Sequence, residues 1–202
     1  MRLRPHIGTT AVSQVEVGEA AALQPPPKGY IPPPTSFPLP DRSPRAGYTG
    51  DLAFGEFAAG SGSFIRYAKH LEGKCAFFAE KEDGVAQQAQ TEAGPRARRF
   101  GDILEVHPKE VPDVFMLLGG PECQPFSRAG KRLGLVDMRA RTLWWVLWCL
   151  AERQFPCALI ENVQALLQMH GGAEWQVVEA VLQGIGYTNG TEDRSEERRQ
   201  CH

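Results

Sequence analysis

A chain of 202 residues is long enough for one domain with a hydrophobic core and some sequence outside it. Hydrophobic residues make up 42% of the chain and charged residues 23%, which is ordinary for a globular protein. The formal net charge of −2 excludes a general positive field that would draw the protein to DNA or to a membrane surface. Any contact with nucleic acid must therefore come from a local cluster of basic residues.

The cysteines predict neither a disulfide framework nor a metal site. Their number, five, is odd, and they form no pair separated by two residues. A reducing, intracellular setting is the simpler interpretation, with nucleus and cytoplasm both left open. The N-terminus lacks the apolar core of a signal peptide, and the longest apolar run, 142–151, is too short to cross a membrane. We therefore expect no membrane partner.

Proline is concentrated at the beginning of the chain. Ten of the 16 prolines precede residue 48. Because proline fixes φ and cannot donate a backbone hydrogen bond, residues 1–48 are predicted to be a disordered tail. Residues 188–202 are polar and highly charged, and they are predicted to be a second disordered tail. The predicted domain covers residues 49–187.

Within this domain, short apolar runs alternate with segments of helical spacing. Buried strands are predicted at 52–58, 75–79, 113–119 and 157–161, with a further short strand before Asp102. Helices are predicted at 64–71, 83–91, 139–152 and 173–182, and residues 120–138 are predicted to form a long loop. This alternation indicates βαβ units in a doubly wound, Rossmann-like α/β fold with a parallel sheet.

A glycine-rich turn follows the first strand, where a doubly wound sheet binds its ligands. Gly60 and Gly62 lie in this turn, and glycine lets the backbone approach a ligand closely. Glu80 ends the second strand and can accept hydrogen bonds from ribose hydroxyls. Asp102 can accept from an adenine amino group. The pattern favours a nucleoside site over a plain turn with a solvated acid.

Cys123 is the candidate nucleophile. It follows the third main strand in a proline-punctuated loop, which is unlike the setting of a core cysteine. Glu161 ends the next strand, so we expect it at the same edge of the sheet, facing Cys123 across a pocket. The alternative for Glu161 is a carboxylate that caps the following helix.

In these motifs the chain resembles the cytosine-C5 DNA methyltransferases, in the family's order over about residues 51–187. The nucleophile motif appears as Pro121-Glu122-Cys123-Gln124-Pro125-Phe126-Ser127 and the Glu-Asn-Val motif as Glu161-Asn162-Val163. The first cofactor motif appears as Phe57-Ala58-Ala59-Gly60-Ser61-Gly62. Glu80 matches the second-strand acid, and Gly101-Asp102-Ile103 matches the third cofactor motif. Asp137 and Arg139 match the loop after the cysteine.

The resemblance implies an S-adenosylmethionine-dependent methyltransferase domain. Its cofactor-binding residues would be Phe57, Ala58, Gly60, Ser61, Gly62, Glu80, Asp102 and Ile103. Cys123 would attack carbon 6 of cytosine while Glu161 donates to ring nitrogen 3, and Asn162 would orient Glu161 or the nucleophile loop. Methylation at carbon 5 follows, on a base flipped out of DNA.

The resemblance also implies a loop that contacts nucleic acid. Its expected members are Ser127, Arg128, Lys131, Arg132 and Arg139. Basic residues of a loop can contact phosphates when it closes. Simple solvation of these side chains is an equal alternative.

The chain departs from the family in three respects. Glu122 stands where the family has proline, and a carboxylate there disfavours a neighbouring thiolate by like-charge repulsion. Ser63 stands where glycine is frequent. The target recognition domain and the closing C-terminal motifs have no counterpart, so we expect a methyltransferase domain truncated at its C-terminal end.

Three activities remain open on these observations. The first is a cytosine-C5 DNA methyltransferase that is weak or inactive alone and gains target recognition from a second polypeptide. The second is the same chemistry on RNA. The third is a catalytically silent module that binds S-adenosylmethionine or a protein partner.

Overall fold

The computed structural model describes residues 52–126 and 133–188. This part of the chain contains one parallel sheet with the strand order β3-β2-β1-β4-β5. The strands are β1 (Ala53–Phe57), β2 (Lys74–Ala79), β3 (Arg98–Phe100), β4 (Met116–Gly119) and β5 (Cys157–Ile160). The helices are α1 (Ser63–His70), α2 (Asp83–Ala93), α3 (Arg141–Arg153), α4 (Ala165–Gln168) and α5 (Ala173–Gly184). The strand order reverses between β1 and β4, which is the usual ligand-binding position in such sheets.

The predicted Rossmann-like α/β fold is confirmed, with small differences at the element ends. Helix α3 begins two residues later than predicted because Asp137 caps a separate 3-10 turn over Met138–Ala140. The predicted loop 120–138 contains a second 3-10 turn, Gly134–Val136, and the four-residue helix α4 was not predicted. The predicted tails lie outside the described residues except for Thr188, so they stay predictions.

Adjacent residues of β2 and of β4 pack into different hydrophobic clusters, one on each face of the sheet. Phe77 and Leu117 belong to a cluster that also contains α3 and α5 residues. Phe78 and Leu118, their chain neighbours, belong to a cluster with α1 and α2. This explains why the strands are continuous apolar runs, since both faces of the sheet are covered by helices.

Helix α3 is buried on most of its surface. Every residue from Leu143 to Ala151 is buried, including Trp144, Trp145 and Trp148. The indole of Trp145 donates to the carbonyl of Val106 at 2.8 Å, so its one polar group is satisfied. All three tryptophans therefore pack in the core of the fold.

Glu56 is a buried acid in the middle of β1, with only 1% of its surface exposed. Its Oε2 accepts a hydrogen bond from the backbone N–H of Ile65, at 2.9 Å, in the first turn of α1. The residue before this helix is Gly62, which has no side chain to cap those N–H groups. Glu56 therefore takes the place of a capping residue, and its burial raises the pKa of the carboxyl group to about 7.

This buried carboxyl predicts a pH-dependent stability. Because its pKa is higher in the folded protein than in the unfolded chain, the folded protein binds more protons, and the free energy of unfolding falls as pH rises toward about 7. Urea unfolding should show a loss of roughly 2–3 kcal/mol between about pH 5 and about pH 8. Glu56→Gln, which cannot ionise, should remove that part of the slope. An identical pH profile in both proteins would contradict the assignment.

Candidate functional site

The turn after β1 is bound to the end of β2. The backbone N–H of Ala59 donates to the Ala79 carbonyl at 2.9 Å, and that of Gly60 donates to Oε2 of Glu80 at 2.8 Å. Gly60 and Gly62 have φ values of +52° and +82°, which favour glycine. Ala58 also has a positive φ, +49°, which is uncommon for a residue with a side chain. The turn is thus a constrained piece of backbone at the strand edge.

The Glu80 carboxylate is held by two backbone donors. Oε2 accepts from Gly60, and Oε1 accepts from the N–H of Glu82 at 3.0 Å. Each carboxylate oxygen can accept more than one hydrogen bond, so Glu80 keeps acceptor capacity for a ligand. No atom lies within 4 Å of the position that a Cβ on Gly60 would take. The turn therefore borders open space beside a fixed carboxylate.

The end of β3 brings Asp102 to the same edge. Oδ1 of Asp102 accepts from the backbone N–H of Leu104 at 2.9 Å and so caps the short turn Ile103–Glu105, in which Ile103 is buried. The backbone N–H of Glu80 donates to the Phe100 carbonyl at 3.2 Å, joining the ends of β2 and β3. The sequence-predicted residues Phe57, Ala58, Gly60, Ser61, Gly62, Glu80, Asp102 and Ile103 thus follow three adjacent strands at one edge.

The nucleophile segment is exposed at its centre and anchored at its ends. Cys123 is exposed, whereas Pro121 and Pro125 are buried and Phe126 is fully buried. The N–H of Phe126 donates to the carbonyl of Cys123 at 3.0 Å, closing a turn around the thiol. The segment therefore presents a solvent-accessible thiol on a backbone fixed by its neighbours.

The Glu-Asn-Val segment contacts the residues that lead to Cys123. The N–H of Glu161 donates to the Gly119 carbonyl at 3.0 Å, and its carboxylate lies against Gly120, where an added Cβ would stand 2.9 Å from Oε2. The side-chain amide of Asn162 donates to the carbonyl of Pro121 at 3.2 Å. Of the two roles expected for Asn162, this contact favours orientation of the nucleophile loop. The exposed Glu161 carboxylate lies beside the start of that loop, against Gly120.

Two further side chains hold the nucleophile segment. Arg139 makes a two-pronged ion pair with the buried carboxylate of Asp137, at 2.6 and 2.9 Å, and also donates to Oε1 of Gln124 at 2.9 Å. Glu122 lies 4.0 Å from the ammonium group of Lys81.

The structure describes one of the five residues predicted for the nucleic-acid loop. Ser127, Arg128, Lys131 and Arg132 lie outside the described residues. Arg139 is described, and its ion pair with Asp137 and hydrogen bond to Gln124 show a role inside the fold. Its contact with phosphates stays a prediction.

The other described cysteines differ from Cys123 in burial. Cys149 is buried, while Cys75 and Cys157 are half-buried. Burial raises the pKa of the Cys75 thiol to about 12 and raises the pKa of both other thiols as well. A thiol with a raised pKa forms little thiolate near neutral pH, and thiolate is the nucleophilic form. Cys123 is thus the candidate nucleophile among the described cysteines.

Sequence reasoning missed two acids near the site. Glu56 has a visible signal, since it is a single charge within the apolar run Leu52–Ala58. Glu174 has none, because an acid at the start of a helix is common on solvated faces. Its carboxylate accepts from the backbone N–H of Leu135 at 2.9 Å, a contact between residues 39 positions apart.

The comparisons with known proteins agree with this geometry. The family model of the C-5 cytosine-specific DNA methylases matches residues 52–192. The type II methyltransferase M.BsuFI of Bacillus subtilis is 33% identical over 137 residues, which are 68% of this chain and 33% of that protein. M.NgoBI of Neisseria gonorrhoeae is 37% identical over 55% of this chain and 35% of its own length. The chain spans about a third of the length of these curated relatives.

Solved structures share the fold. A DNA modification methyltransferase encoded within an Escherichia coli prophage superposes with a TM-score of 0.52 at 16% identity, over 66% of this chain and 38% of that one. A variant of DNMT2 from Spodoptera frugiperda gives a TM-score of 0.50 at 19% identity, over 67% and 41%. The sheet, the ordered motifs and the family match define the class of protein. The chain belongs to the C-5 cytosine-specific DNA methylase family.

None of the helices within 52–126 and 133–188 has the length and apolar character needed to cross a membrane. The same ranges contain no group of three or more His, Cys, Asp or Glu side chains placed to hold a metal ion.

The difference in burial predicts selective alkylation. At neutral pH, iodoacetamide should modify Cys123 at least about tenfold faster than Cys75 or Cys149, because burial limits both access and thiolate formation. Mass spectrometry of peptides after timed quenching measures each site separately. In concentrated urea, which removes burial, the three rates should converge. Equal labelling of Cys149 and Cys123 in the folded protein would contradict the prediction.

Proposed function

We propose that this chain carries the cofactor-binding and nucleophile parts of an enzyme that transfers a methyl group from S-adenosylmethionine to carbon 5 of cytosine in DNA. The observation that carries the proposal is the setting of Cys123. This thiol is exposed between buried residues, and the backbone leading to it contacts both Glu161 and Asn162. An exposed thiol on a fixed backbone whose preceding residues contact an acid fits the arrangement that covalent catalysis needs.

The chain's own residues fit a nucleoside cofactor. Glu80 offers a carboxylate that backbone hydrogen bonds orient, and the open space next to Gly60 lets a ligand approach the turn. Asp102 supplies a second acceptor at the next strand end. When bound there, S-adenosylmethionine supplies an electrophilic methyl group. Phe57 and Ile103 are buried under this edge and support it.

The proposed reaction uses Cys123 to make cytosine a carbon nucleophile. The thiolate sulfur bonds to carbon 6, and the ring electrons move to carbon 5, which takes the methyl group. Glu161 donates a hydrogen bond to ring nitrogen 3, which holds the base and stabilises the negative charge that develops on the ring. Carbon 5 then loses its proton to water, the electron pair of that bond restores the double bond between carbons 5 and 6, and Cys123 leaves carbon 6 as the thiolate. The base must leave the helix stack to reach Cys123.

DNA recognition belongs to residues beyond those described, in our proposal. The overall charge of −2 supplies no general attraction to phosphates, and the chain spans about a third of the length of its curated relatives. A second polypeptide, or further sequence of a longer protein, would supply the contacts to base edges. The loop residues Ser127, Arg128, Lys131 and Arg132, with Arg139, would contribute phosphate contacts.

Glu80 provides a test of the cofactor site. Glu80→Ala should weaken S-adenosylmethionine binding by about 1–3 kcal/mol, the range for loss of hydrogen bonds to a charged acceptor. Isothermal titration calorimetry measures the affinity, and thermal unfolding checks that the variant folds. Glu82→Ala is the matched control, since Glu82 is an exposed acid two residues away whose backbone, not its side chain, contacts Glu80. Unchanged affinity in Glu80→Ala would remove this residue from the site.

Trapping with 5-fluorocytosine tests the proposed chemistry. Fluorine cannot leave carbon 5 as a proton does, so the bond between Cys123 and carbon 6 should persist when S-adenosylmethionine is present. Mass spectrometry should locate the adduct on Cys123, and Cys123→Ser should abolish it, whereas Cys157→Ser should not. Persistence of the adduct in Cys123→Ser would exclude this residue as the nucleophile.

The substrates offered in the trapping assay separate the alternatives. A DNA oligonucleotide that forms the adduct supports the proposal, and an adduct formed only with RNA assigns the same chemistry to the other polymer. Cofactor binding without any adduct, even when a recognition segment from a relative such as M.BsuFI is added in trans, would indicate a catalytically silent binding module.

A further inference from the structure

We propose that Glu174, on α5, is a positioning residue that holds the Cys123 segment in place through the backbone of Gly134 and Leu135. The effect on catalysis rests on the function proposed above. Glu174 lies 51 positions from Cys123 in the sequence (174 − 123), and it belongs to none of the motifs that identify the family. The contacts that connect the two residues are all made by described atoms.

The first contact joins α5 to the stretch after the nucleophile loop. Oε2 of Glu174 accepts from the backbone N–H of Leu135 at 2.9 Å, and only 14% of the Glu174 side chain is exposed. Oε1 pairs with Nδ1 of His170 at 2.8 Å, which fixes the direction of the carboxylate. A largely buried carboxylate with a partner on each oxygen is held in one orientation. Hydrogen bonds to a charged acceptor are also among the stronger ones.

The fit around this carboxylate is close. Gly134 has a φ of +62°, and an added Cβ would overlap the Glu174 carboxylate, standing 2.8 Å from Oε2. Position 134 therefore favours glycine, because a positive φ is strained for other residues and a Cβ would displace the Glu174 carboxylate. On the other side, the carbonyl of Leu135 accepts from the indole N–H of Trp144 at 3.2 Å. The peptide of Leu135 is thus held at both of its polar groups.

Two further hydrogen bonds join this fixed backbone to the nucleophile. The N–H of Gly134 donates to the carbonyl of Pro125 at 3.2 Å. The N–H of Phe126, which follows Pro125 in the chain, donates to the carbonyl of Cys123 at 3.0 Å. A displacement of Gly134 therefore moves the C-terminal side of the segment that carries the thiol. Glu161 and Asn162 contact the N-terminal side, at Gly119 to Pro121. Glu174 supplies the corresponding restraint on the other side.

Hydrogen exchange tests this coupling without any need for activity. In Glu174→Ala, the amides of Leu135 and Phe126 should both exchange about tenfold faster or more, while the amides of β1 and β4 keep their protection. Glu174→Gln retains an oxygen acceptor and should restore most of the protection, which separates positioning from general unfolding. Gln176→Ala, at an exposed position of the same helix, is the matched control. Faster exchange at Leu135 with unchanged exchange at Phe126 would overturn the inference.

The trapping assay gives the chemical consequence. Glu174→Ala should slow adduct formation at Cys123 by about 10- to 100-fold, since small displacements of a reacting group have effects of this size. S-adenosylmethionine affinity should be unchanged, because its proposed residues lie at the ends of β1, β2 and β3. An unchanged adduct rate would overturn the inference. Absence of an adduct in the unmodified protein, even with a recognition segment added in trans, would instead refute the proposed function, and the exchange experiment would still decide the coupling.

Discussion

The site depends on the close pairing of β1 with β4. Phe57, the last residue of β1, lies beside Gly119, the last residue of β4. A side chain at Gly119 would collide with the Phe57 carbonyl and stand 2.9 Å from its ring, so only glycine permits this approach. Because both strands end here in parallel, the cofactor turn that follows Phe57 and the nucleophile segment that follows Gly119 leave the sheet side by side. The pairing brings together the two segments that we propose to bind the cofactor and to supply the nucleophile, although the strand ends lie 62 residues apart in the sequence (119 − 57).

Two carboxylates fix the backbone on either side of this pairing. Glu56 takes the capping role at α1 that Gly62 cannot perform, and Glu80 binds the turn to the end of β2. Both acids act on backbone N–H groups, whose satisfaction is obligatory in a folded interior. The glycines of the turn adopt positive φ values, and Gly60 leaves open space beside the turn. The carboxylates of Glu56 and Glu80 fix the direction of the backbone N–H groups that they accept from. This division explains how a glycine-rich turn remains rigid enough to form a site.

The segment around Cys123, residues 121–126, is likewise held by hydrogen bonds from other parts of the fold. Asn162 restrains its beginning, Arg139 contacts Gln124 near its centre, and Gly134 binds Pro125 near its end. Each restraint comes from a different element, so the exposed thiol of Cys123 is held without being buried. Burial would have closed the thiol to solvent, as it does for Cys149. Holding a reactive group by its backbone keeps it both fixed and accessible.

The sequence by itself determined the class of fold and the positions of the motif residues. Apolar runs such as 75–79 and 157–161 identify buried strands because both faces of a parallel sheet are covered, and glycine and proline mark where the elements end. The family could also be predicted from the motifs around Cys123 and Glu161, because each motif is a short run of neighbouring residues. Tertiary structure alone decided the roles of Glu56 and Glu174. Their functions arise from contacts with Ile65 and Leu135, and no short-range pattern encodes a hydrogen bond between residues that become neighbours only after the chain has folded.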